Sequence, residues 1–244
     1  MTKSLSPLRL LSAWERAYGR SPLVKGLVLL SLAAPEDHAA PLEQVPIGVR
    51  DRALLSLRRL LFGEELTAVV ACPNCDEKVE LGYSVSNLCA DAGPTRGELP
   101  EFDAAGSRWR LRLPCTADLL ATEPLTDHAA RRQTLLARCL SRSGGPTTEF
   151  ASGIPDEVVD AATTRLSEAD PQADLQVGAD CPGCRHVWTM PFDIVSFLWS
   201  ELDAWAQRLL TEIHALASAY GWSERDILEL SPWRRQIYLE MLRR

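Results

Sequence analysis

The residues best suited to chemistry are four cysteines in two short motifs. The motifs, Cys72-Pro73-Asn74-Cys75 and Cys181-Pro182-Gly183-Cys184, each place two residues between a pair of thiols. In a tight turn, hereafter a knuckle, this spacing directs both sulfurs to one side. A second knuckle can then complete the four-thiolate set of a structural zinc site, which leaves no position open for water. The sequence therefore predicts one bound Zn²⁺ with the ligands Cys72, Cys75, Cys181 and Cys184.

Two other interpretations of the motifs stay open. Cys-Pro-x-Cys is also a thioredoxin-like sequence, which would make each motif a dithiol redox centre. Such a centre stands at the start of a helix, whereas both motifs here precede strand-like residues. The other alternative is a knuckle that keeps its cysteines and binds no metal. The 105 residues between the motifs also far exceed the usual spacing of a zinc ribbon.

The remaining candidates for chemistry do not form a recognisable catalytic motif. Cys89, Cys115 and Cys139 stand alone and are predicted to be small buried hydrophobic residues. His186, two residues after Cys184, is predicted to be a strand residue, because four sulfurs already complete the site. The sequence has no phosphate-binding glycine loop, dinucleotide fingerprint, zinc-protease helix motif or nucleophile elbow. We therefore expect that the protein is not an enzyme.

The composition is that of a globular protein. Its 244 residues are 46% hydrophobic and 24% charged, which suffices for a core in one or two domains. The net charge of −7 excludes a chain-wide nucleic-acid footprint, which would need a basic excess. No stretch has the roughly 18 uncharged apolar residues of a membrane helix, and no signal-peptide pattern begins the chain. We therefore expect a cytoplasmic protein without a membrane span, in which thiols stay reduced.

The elements around the cysteines predict an α+β fold with a zinc-ribbon-like β core surrounded by helices. Each knuckle lies between two strands, and this arrangement recurs at the 109-residue offset from Cys72 to Cys181. The segment Arg108–Leu113 alternates polar and apolar residues and is predicted to add a strand to this core. A long helix over about 193–220 carries an apolar stripe that is predicted to pack on the core, and short helices follow it.

The predicted organisation is three segments in one continuous domain. They are a helical segment (1–63), a β-rich core with both knuckles and inserted helices (64–192), and a second helical segment (193–244). Three helices are predicted to begin at serine–proline pairs, because serine caps a helix and proline suits its first turn. The pairs are Ser6-Pro7, Ser21-Pro22 and Ser231-Pro232.

The last predicted helices combine tryptophan with arginine. Trp222 and Trp233 lie near Arg234-Arg235 and Arg243-Arg244. These residue types are enriched at protein interfaces. A nucleic-acid surface uses the same types, but nearby acidic residues dilute the positive charge. The pattern therefore favours contact with other proteins.

Several further segments resemble a known family. They are Trp14-Glu15-Arg16, Pro46-Ile47-Gly48-Val49-Arg50-Asp51, Leu61-Phe62-Gly63, Phe197-Leu198-Trp199-Ser200-Glu201, Ala219-Tyr220-Gly221-Trp222-Ser223-Glu224 and Arg234-Arg235-Gln236-Ile237-Tyr238-Leu239. Together with the two cysteine motifs they resemble the baseplate and hub-assembly-chaperone proteins of T-even-type contractile tails, as found in phage-like contractile injection systems.

This resemblance implies a non-enzymatic role. The chain would be a structural or assembly-chaperone protein of a contractile-tail baseplate, with other baseplate or hub proteins as partners and neither a small-molecule substrate nor nucleic acid. It would lie in the bacterial cytoplasm or in the assembled particle. The alternative from the cysteines alone is a zinc-ribbon nucleic-acid-binding or transcription-associated module, and a third class is a thiol oxidoreductase.

Overall fold

The computed structural model describes residues 5–34, 41–89, 99–143 and 153–243, which form ten α-helices and three small antiparallel sheets. The helices are α1 (Pro7–Ala17), α2 (Pro22–Ala33), α3 (Ile47–Phe62), α4 (Val85–Leu88), α5 (Thr116–Thr122), α6 (His128–Cys139), α7 (Asp156–Ala169), α8 (Ile194–Tyr220), α9 (Glu224–Glu229) and α10 (Pro232–Leu242). The strands are β1 (Glu65–Ala71), β2 (Lys78–Ser84), β3 (Phe102–Ala104), β4 (Ser107–Leu111), β5 (Leu140–Arg142), β6 (Gln176–Asp180) and β7 (Val187–Pro191). Short 3-10 helices cover Leu42–Gln44 and Pro171–Asp174. The expected mixture of helix and sheet is confirmed.

The chain divides into two compact units. One comprises Met1–Leu32 and Val195–Arg244, and the other comprises Ala33–Ile194. Both cysteine motifs lie in the second unit. The first unit therefore joins segments from the two ends of the sequence, and the second holds every strand that the structure describes.

The first unit is helical, and its helices begin where the sequence predicts. The Ser6 hydroxyl accepts a hydrogen bond from the Arg9 backbone N–H, and the Ser231 hydroxyl accepts one from the Arg234 N–H. These bonds satisfy N–H groups that a helix leaves without partners at its start. The core of this unit combines residues of α1, α8 and α9, namely Leu11, Ala206, Leu209, Ile213, Leu216 and Ile227. No helix in the described ranges is long and apolar enough to cross a lipid bilayer.

The α8 stripe differs from its predicted packing. Leu209, Ile213 and Leu216 belong to the core of the first unit and not to the apolar cluster that contains the cysteines. The physical reason is that α1 and α9 have apolar faces of their own, and those faces cover this part of α8. Helical spacing shows that a face is buried, but it does not say which surface covers it.

The second unit contains a three-stranded sheet in the order β3-β4-β5. Trp109 of β4 pairs with Phe102 on one side and with Arg142 on the other. The predicted alternation holds, since Trp109 and Leu111 are buried while Arg108 and Arg110 face solvent. The prediction that this strand joins the cysteine hairpins is wrong, because β3 and β5 occupy both of its edges. Its buried face packs instead with α6 and α7.

Candidate metal centre

Two β-hairpins carry the four motif cysteines. The first consists of β1 and β2, and the second of β6 and β7. The pairs Val70↔Val79 and Ala179↔Trp188 occupy the same place in the two hairpins, and every other pair of the shorter hairpin also matches at the 109-residue offset. The sequence repeat is therefore a repeat of strand register, which fixes the same inward positions in both hairpins.

The backbone of the two knuckles is also the same. The Asp76 N–H donates to the Cys72 carbonyl at 2.9 Å, and the Arg185 N–H donates to the Cys181 carbonyl at 2.8 Å. Asp76 and Arg185 have φ angles of 64° and 60°. This left-handed conformation costs roughly 1–2 kcal/mol in a residue with a side chain. Both hairpins accept that cost at the position that closes the turn behind the second cysteine.

The four sulfurs converge between the knuckles. Cys72 Sγ lies 3.6 Å from Cys184 Sγ, and Cys75 Sγ lies 3.6 Å from Cys181 Sγ. All four sulfurs lie within 4.8 Å of one another. A tetrahedral site with Zn–S bonds near 2.3 Å has S···S edges of about 3.8 Å. The four cysteines, none of which forms a disulfide, can therefore hold a metal ion.

An apolar cluster lies beneath the sulfurs. Its buried members come from both hairpins and are Cys72, Val79, Leu81, Ala179 and Cys181. The first cysteine of each motif is buried, whereas Cys75 is exposed and Cys184 is half-buried. An ion held here would therefore sit at the edge of a small hydrophobic core with one side toward solvent.

Backbone N–H groups bond to the outer sulfurs. The His186 N–H bonds to Cys184, and the Glu77 N–H bonds to Cys75 from the equivalent position of the other knuckle. A hydrogen bond from the Asn74 side chain, with that of His186, lowers the pKa of Cys184 to about 6. For Cys75, hydrogen bonding to the Cys184 sulfur and desolvation outweigh the Glu77 N–H and raise the pKa to about 12. These hydrogen bonds therefore favour the thiolate at Cys184 and the thiol at Cys75.

Side chains also link the hairpins across the cluster. The Tyr83 hydroxyl donates to the Gly178 carbonyl at 2.8 Å. The Glu77 carboxylate extends over the second knuckle, with Oε2 3.9 Å from Cys181 Sγ. A Cβ atom at Gly183 would lie 1.8 Å from that Oε2. The two knuckles therefore contact each other asymmetrically, because Glu77 of the first hairpin fills the space left by Gly183 in the second knuckle.

Sequence reasoning missed these linking residues, although one signal was present. At the 109-residue offset Asn74 of the first motif aligns with Gly183 of the second. The first knuckle thus supplies a side chain that reaches Cys184, while the second has no side chain where Glu77 needs room. A difference in size inside an otherwise matched repeat indicated where the copies touch.

The remaining predicted residues lie elsewhere. His186 is exposed, stacks on Trp188 with ring centroids 5.9 Å apart and is not part of the cysteine cluster. Cys115 and Cys139 are buried, as predicted, but Cys89 is only half-buried. Nothing in the sequence indicated that Cys115 and Cys139 flank a buried carboxylate, Asp118.

No protein-family model, curated protein or solved structure matches this chain.

Proposed function

We propose that this chain is a non-enzymatic structural or assembly-chaperone protein of a contractile-tail baseplate, with a zinc-ribbon-like pair of hairpins held by a structural zinc ion. The convergence of four sulfurs from two motifs separated by 105 residues carries the structural-metal part of this proposal. The baseplate part rests on the resemblance of the segments described under Sequence analysis. An ion whose four ligands come from two distant turns holds those turns rigidly together. It has no coordination position left for a reactant.

The donor set favours zinc over other common ions. Four thiolates suit soft or borderline metals and not Mg²⁺ or Ca²⁺, which take oxygen ligands. With four sulfurs, Zn²⁺ has no position for water, so the ion would be structural. Ligand exchange with solvent is limited further because Cys72 and Cys181 are each only 1% exposed.

The redox alternative has less support. Strands β2 and β7 follow the two motifs, whereas a thioredoxin-like motif requires a helix N-terminus to stabilise its thiolate. A catalytic dithiol also needs a sulfur that is free to attack the disulfide of a substrate. Here the sulfurs of one motif contact those of the other. Reduction of insulin disulfides by the purified protein would contradict our proposal.

The nucleic-acid alternative also has less support. The arginines of the β4 segment form the most obvious basic row, but Arg108 and Arg110 pair with Glu101, and Arg112 pairs with Asp118. This pairing leaves little positive charge for phosphates in a protein of net charge −7. Salt-sensitive retention on heparin or DNA would favour that alternative.

The surface offered to baseplate or hub proteins in the bacterial cytoplasm would include α10. Its inner face is fixed by Arg235, which bonds to Glu212 and to the Leu230 carbonyl. Trp233 is 74% exposed and Met241 is 55% exposed. They stand eight positions apart, which places them on one face of the helix, opposite the buried Arg235. This outer face has the tryptophan-and-arginine character of an interface, with Arg234 beside it; Arg244 lies outside the described residues.

The metal part is tested by elemental analysis of protein purified without added metal. We expect about one zinc per chain. We expect Cys72→Ser and Cys181→Ser to lower both the zinc content and the stability, whereas Cys89→Ser changes neither. Wild-type protein with less than about a tenth of an equivalent of any metal would contradict the proposed centre.

The interface part is tested by co-expression with candidate baseplate and hub proteins, followed by affinity capture. We expect Trp233→Ala with Met241→Ala to reduce capture of the partner at least about tenfold, as removal of interface anchors does. The matched control is Val187→Ala, because Val187 is 72% exposed on the other unit. Unchanged capture by the α10 variant, with its fold intact by circular dichroism, would exclude this surface.

A further inference from the structure

The sulfur contacts at 3.6 Å each join one knuckle to the other. We propose that the same four residues form an oxidised state with two disulfides, Cys72–Cys184 and Cys75–Cys181, in which the hairpins stay joined after metal loss. This inference uses the thiols of the proposed metal centre. Its test begins from metal-free protein, so the disulfide pattern and the zinc content can each fail alone.

The hairpins have contacts that do not depend on a metal. Val79 and Leu81 of the first hairpin and Ala179 of the second share one buried cluster. The hydrogen bond from Tyr83 to the Gly178 carbonyl spans the same interface. Because apolar burial and a direct hydrogen bond remain when an ion is removed, the cross-knuckle sulfurs stay close enough to react.

Exposure divides each proposed pair into an accessible and a protected sulfur. Cys75 is exposed and contacts the buried Cys181, while Cys184 is half-buried and contacts the buried Cys72. A peroxide can therefore reach one sulfur of each pair, and it oxidises that sulfur to a sulfenic acid once the thiol has lost its proton. The buried partner then attacks that sulfur and displaces its oxygen, which is the reaction of a resolving cysteine.

The oxidation balances with hydrogen peroxide as the oxidant. For each pair, two thiols and one peroxide give one disulfide and two waters, so the sulfurs lose two electrons and the peroxide oxygens gain two. With a metal ion bound, the same four residues would start as thiolates, so four protons would be taken up as the two peroxides become four waters. No further reductant or oxidant is needed.

The two hairpins would thus stay linked to each other in both states, through a metal ion in one and through two disulfides in the other. A disulfide needs the sulfurs to approach from 3.6 Å to about 2.05 Å. The two bonds would link residues 112 and 106 positions apart in the chain. By contrast, oxidation within each motif would leave the hairpins without any covalent connection.

Peptide mapping after oxidation tests the pairing. The full chain is stripped of metal with a chelator under reducing conditions, freed of both reagents and treated with stoichiometric hydrogen peroxide. Remaining thiols are alkylated, and the digest is read by mass spectrometry. We expect loss of the four motif thiols among the seven cysteines, with Cys72–Cys184 and Cys75–Cys181 as the main linkages. Linkages within each motif, a Cys75–Cys184 linkage, or sulfinic acids at Cys75 and Cys184 in place of disulfides would overturn the proposal.

A pair of double variants tests the geometry independently. Cys72→Ser with Cys184→Ser leaves Cys75 and Cys181, which we expect to form one disulfide that increases mobility on a non-reducing gel. Cys181→Ser with Cys184→Ser leaves the two cysteines of the first motif, which we expect to oxidise more slowly. Both variants are first checked for native circular dichroism without metal. Faster oxidation in the second variant than in the first would contradict the cross-knuckle pairing.

Discussion

Two groups of cysteines in the same unit have opposite environments. The four motif cysteines meet one another between two hairpins, with an opening to solvent at Cys75. Cys115 and Cys139 instead flank the carboxylate of Asp118, with Cys115 Sγ 3.1 Å from Oδ2. The motif cysteines surround a position that suits a cation, whereas Cys115 and Cys139 lie beside an anion. The comparison shows that the neighbours of a thiol decide its chemistry.

The difference appears in the protonation of the thiols. The Asn74 side chain and a backbone N–H favour the thiolate of Cys184 and lower its pKa. Burial raises the pKa of Cys139 to about 12, and burial with a hydrogen bond to Asp118 raises the pKa of Cys115. Cys115 and Cys139 therefore stay protonated at neutral pH, and their burial keeps oxidants away from them.

The Asp118 carboxylate is stabilised by charge, as the sulfur cluster would be by a metal. Arg112 donates two hydrogen bonds to it, at 2.6 and 2.8 Å, and Arg138 donates one at 2.9 Å. The Cys115 backbone N–H adds another at 3.0 Å, which caps α5. Desolvation opposes ionisation, but these partners outweigh it and hold the pKa of Asp118 well below its usual range.

Loss of a motif cysteine should have the largest effect on stability. It should weaken the two hairpins and leave the region around Asp118 unchanged. We expect Cys181→Ser to destabilise the hairpins on the order of 5 kcal/mol, because metal-binding free energy is also folding free energy. Hydrogen exchange of β1, β2, β6 and β7 measures this loss locally, with β4 as the internal reference. Protection equal to that of the wild type in a zinc-free variant would mean that the metal adds nothing to the stability of the hairpins.

Neutralising Asp118 should have the next largest effect, and in the other region. We expect Asp118→Asn to cost about 2–4 kcal/mol by leaving two arginines without their anion, with zinc content unchanged. Because the folded-state pKa is lowered, the carboxylate stabilises the fold above its unfolded value near 3.8. That stabilisation disappears as the pH falls toward the folded value. Thermal unfolding of variant and wild type should therefore converge in strong acid, and an equal gap at all pH values would contradict the ionic origin.

Disturbing the contact between Glu77 and Gly183 should have the smallest effect. We expect Gly183→Ala to destabilise the hairpins by about 1 kcal/mol, since the Glu77 carboxylate must move from its place over Gly183. The carboxylate is the end of a flexible side chain, so Glu77→Ala should remove most of this cost. A double-mutant cycle on hairpin hydrogen exchange measures the coupling. Additive effects would show that the two residues do not interfere.

The sequence predicted the cysteine cluster because its signal is local and repeated. Motif spacing, flanking strands and the 109-residue offset all lie along the chain, so convergence of Cys72 with Cys184 could be inferred without a structure. The capped helix starts at Ser6 and Ser231 were predicted for the same reason, since capping involves neighbours in sequence.

Pairing between distant segments accounts for what was missed. The alternation in Arg108–Leu113 indicated a strand, but nothing in that segment specified β5, a three-residue strand directly after α6. The Asp118 centre depends on Arg138, 20 positions away, and on loops that bring it near. Hydrophobic periodicity indicates that one face of a helix is buried, but it does not indicate which surface covers that face. The packing of α8 was mispredicted for this reason.

The distance between the two motifs has a consequence for synthesis on the ribosome. A lone two-stranded hairpin is marginal in water, so the first knuckle cannot mature by itself. After Cys75 leaves the ribosome, 109 more residues must be added before Cys184 follows, which takes about 5–20 s at ordinary translation rates. During that interval the nascent chain exposes half a ligand set, open to any passing metal or oxidant. Emergence of the β6–β7 hairpin therefore sets the time at which the four-cysteine cluster can form.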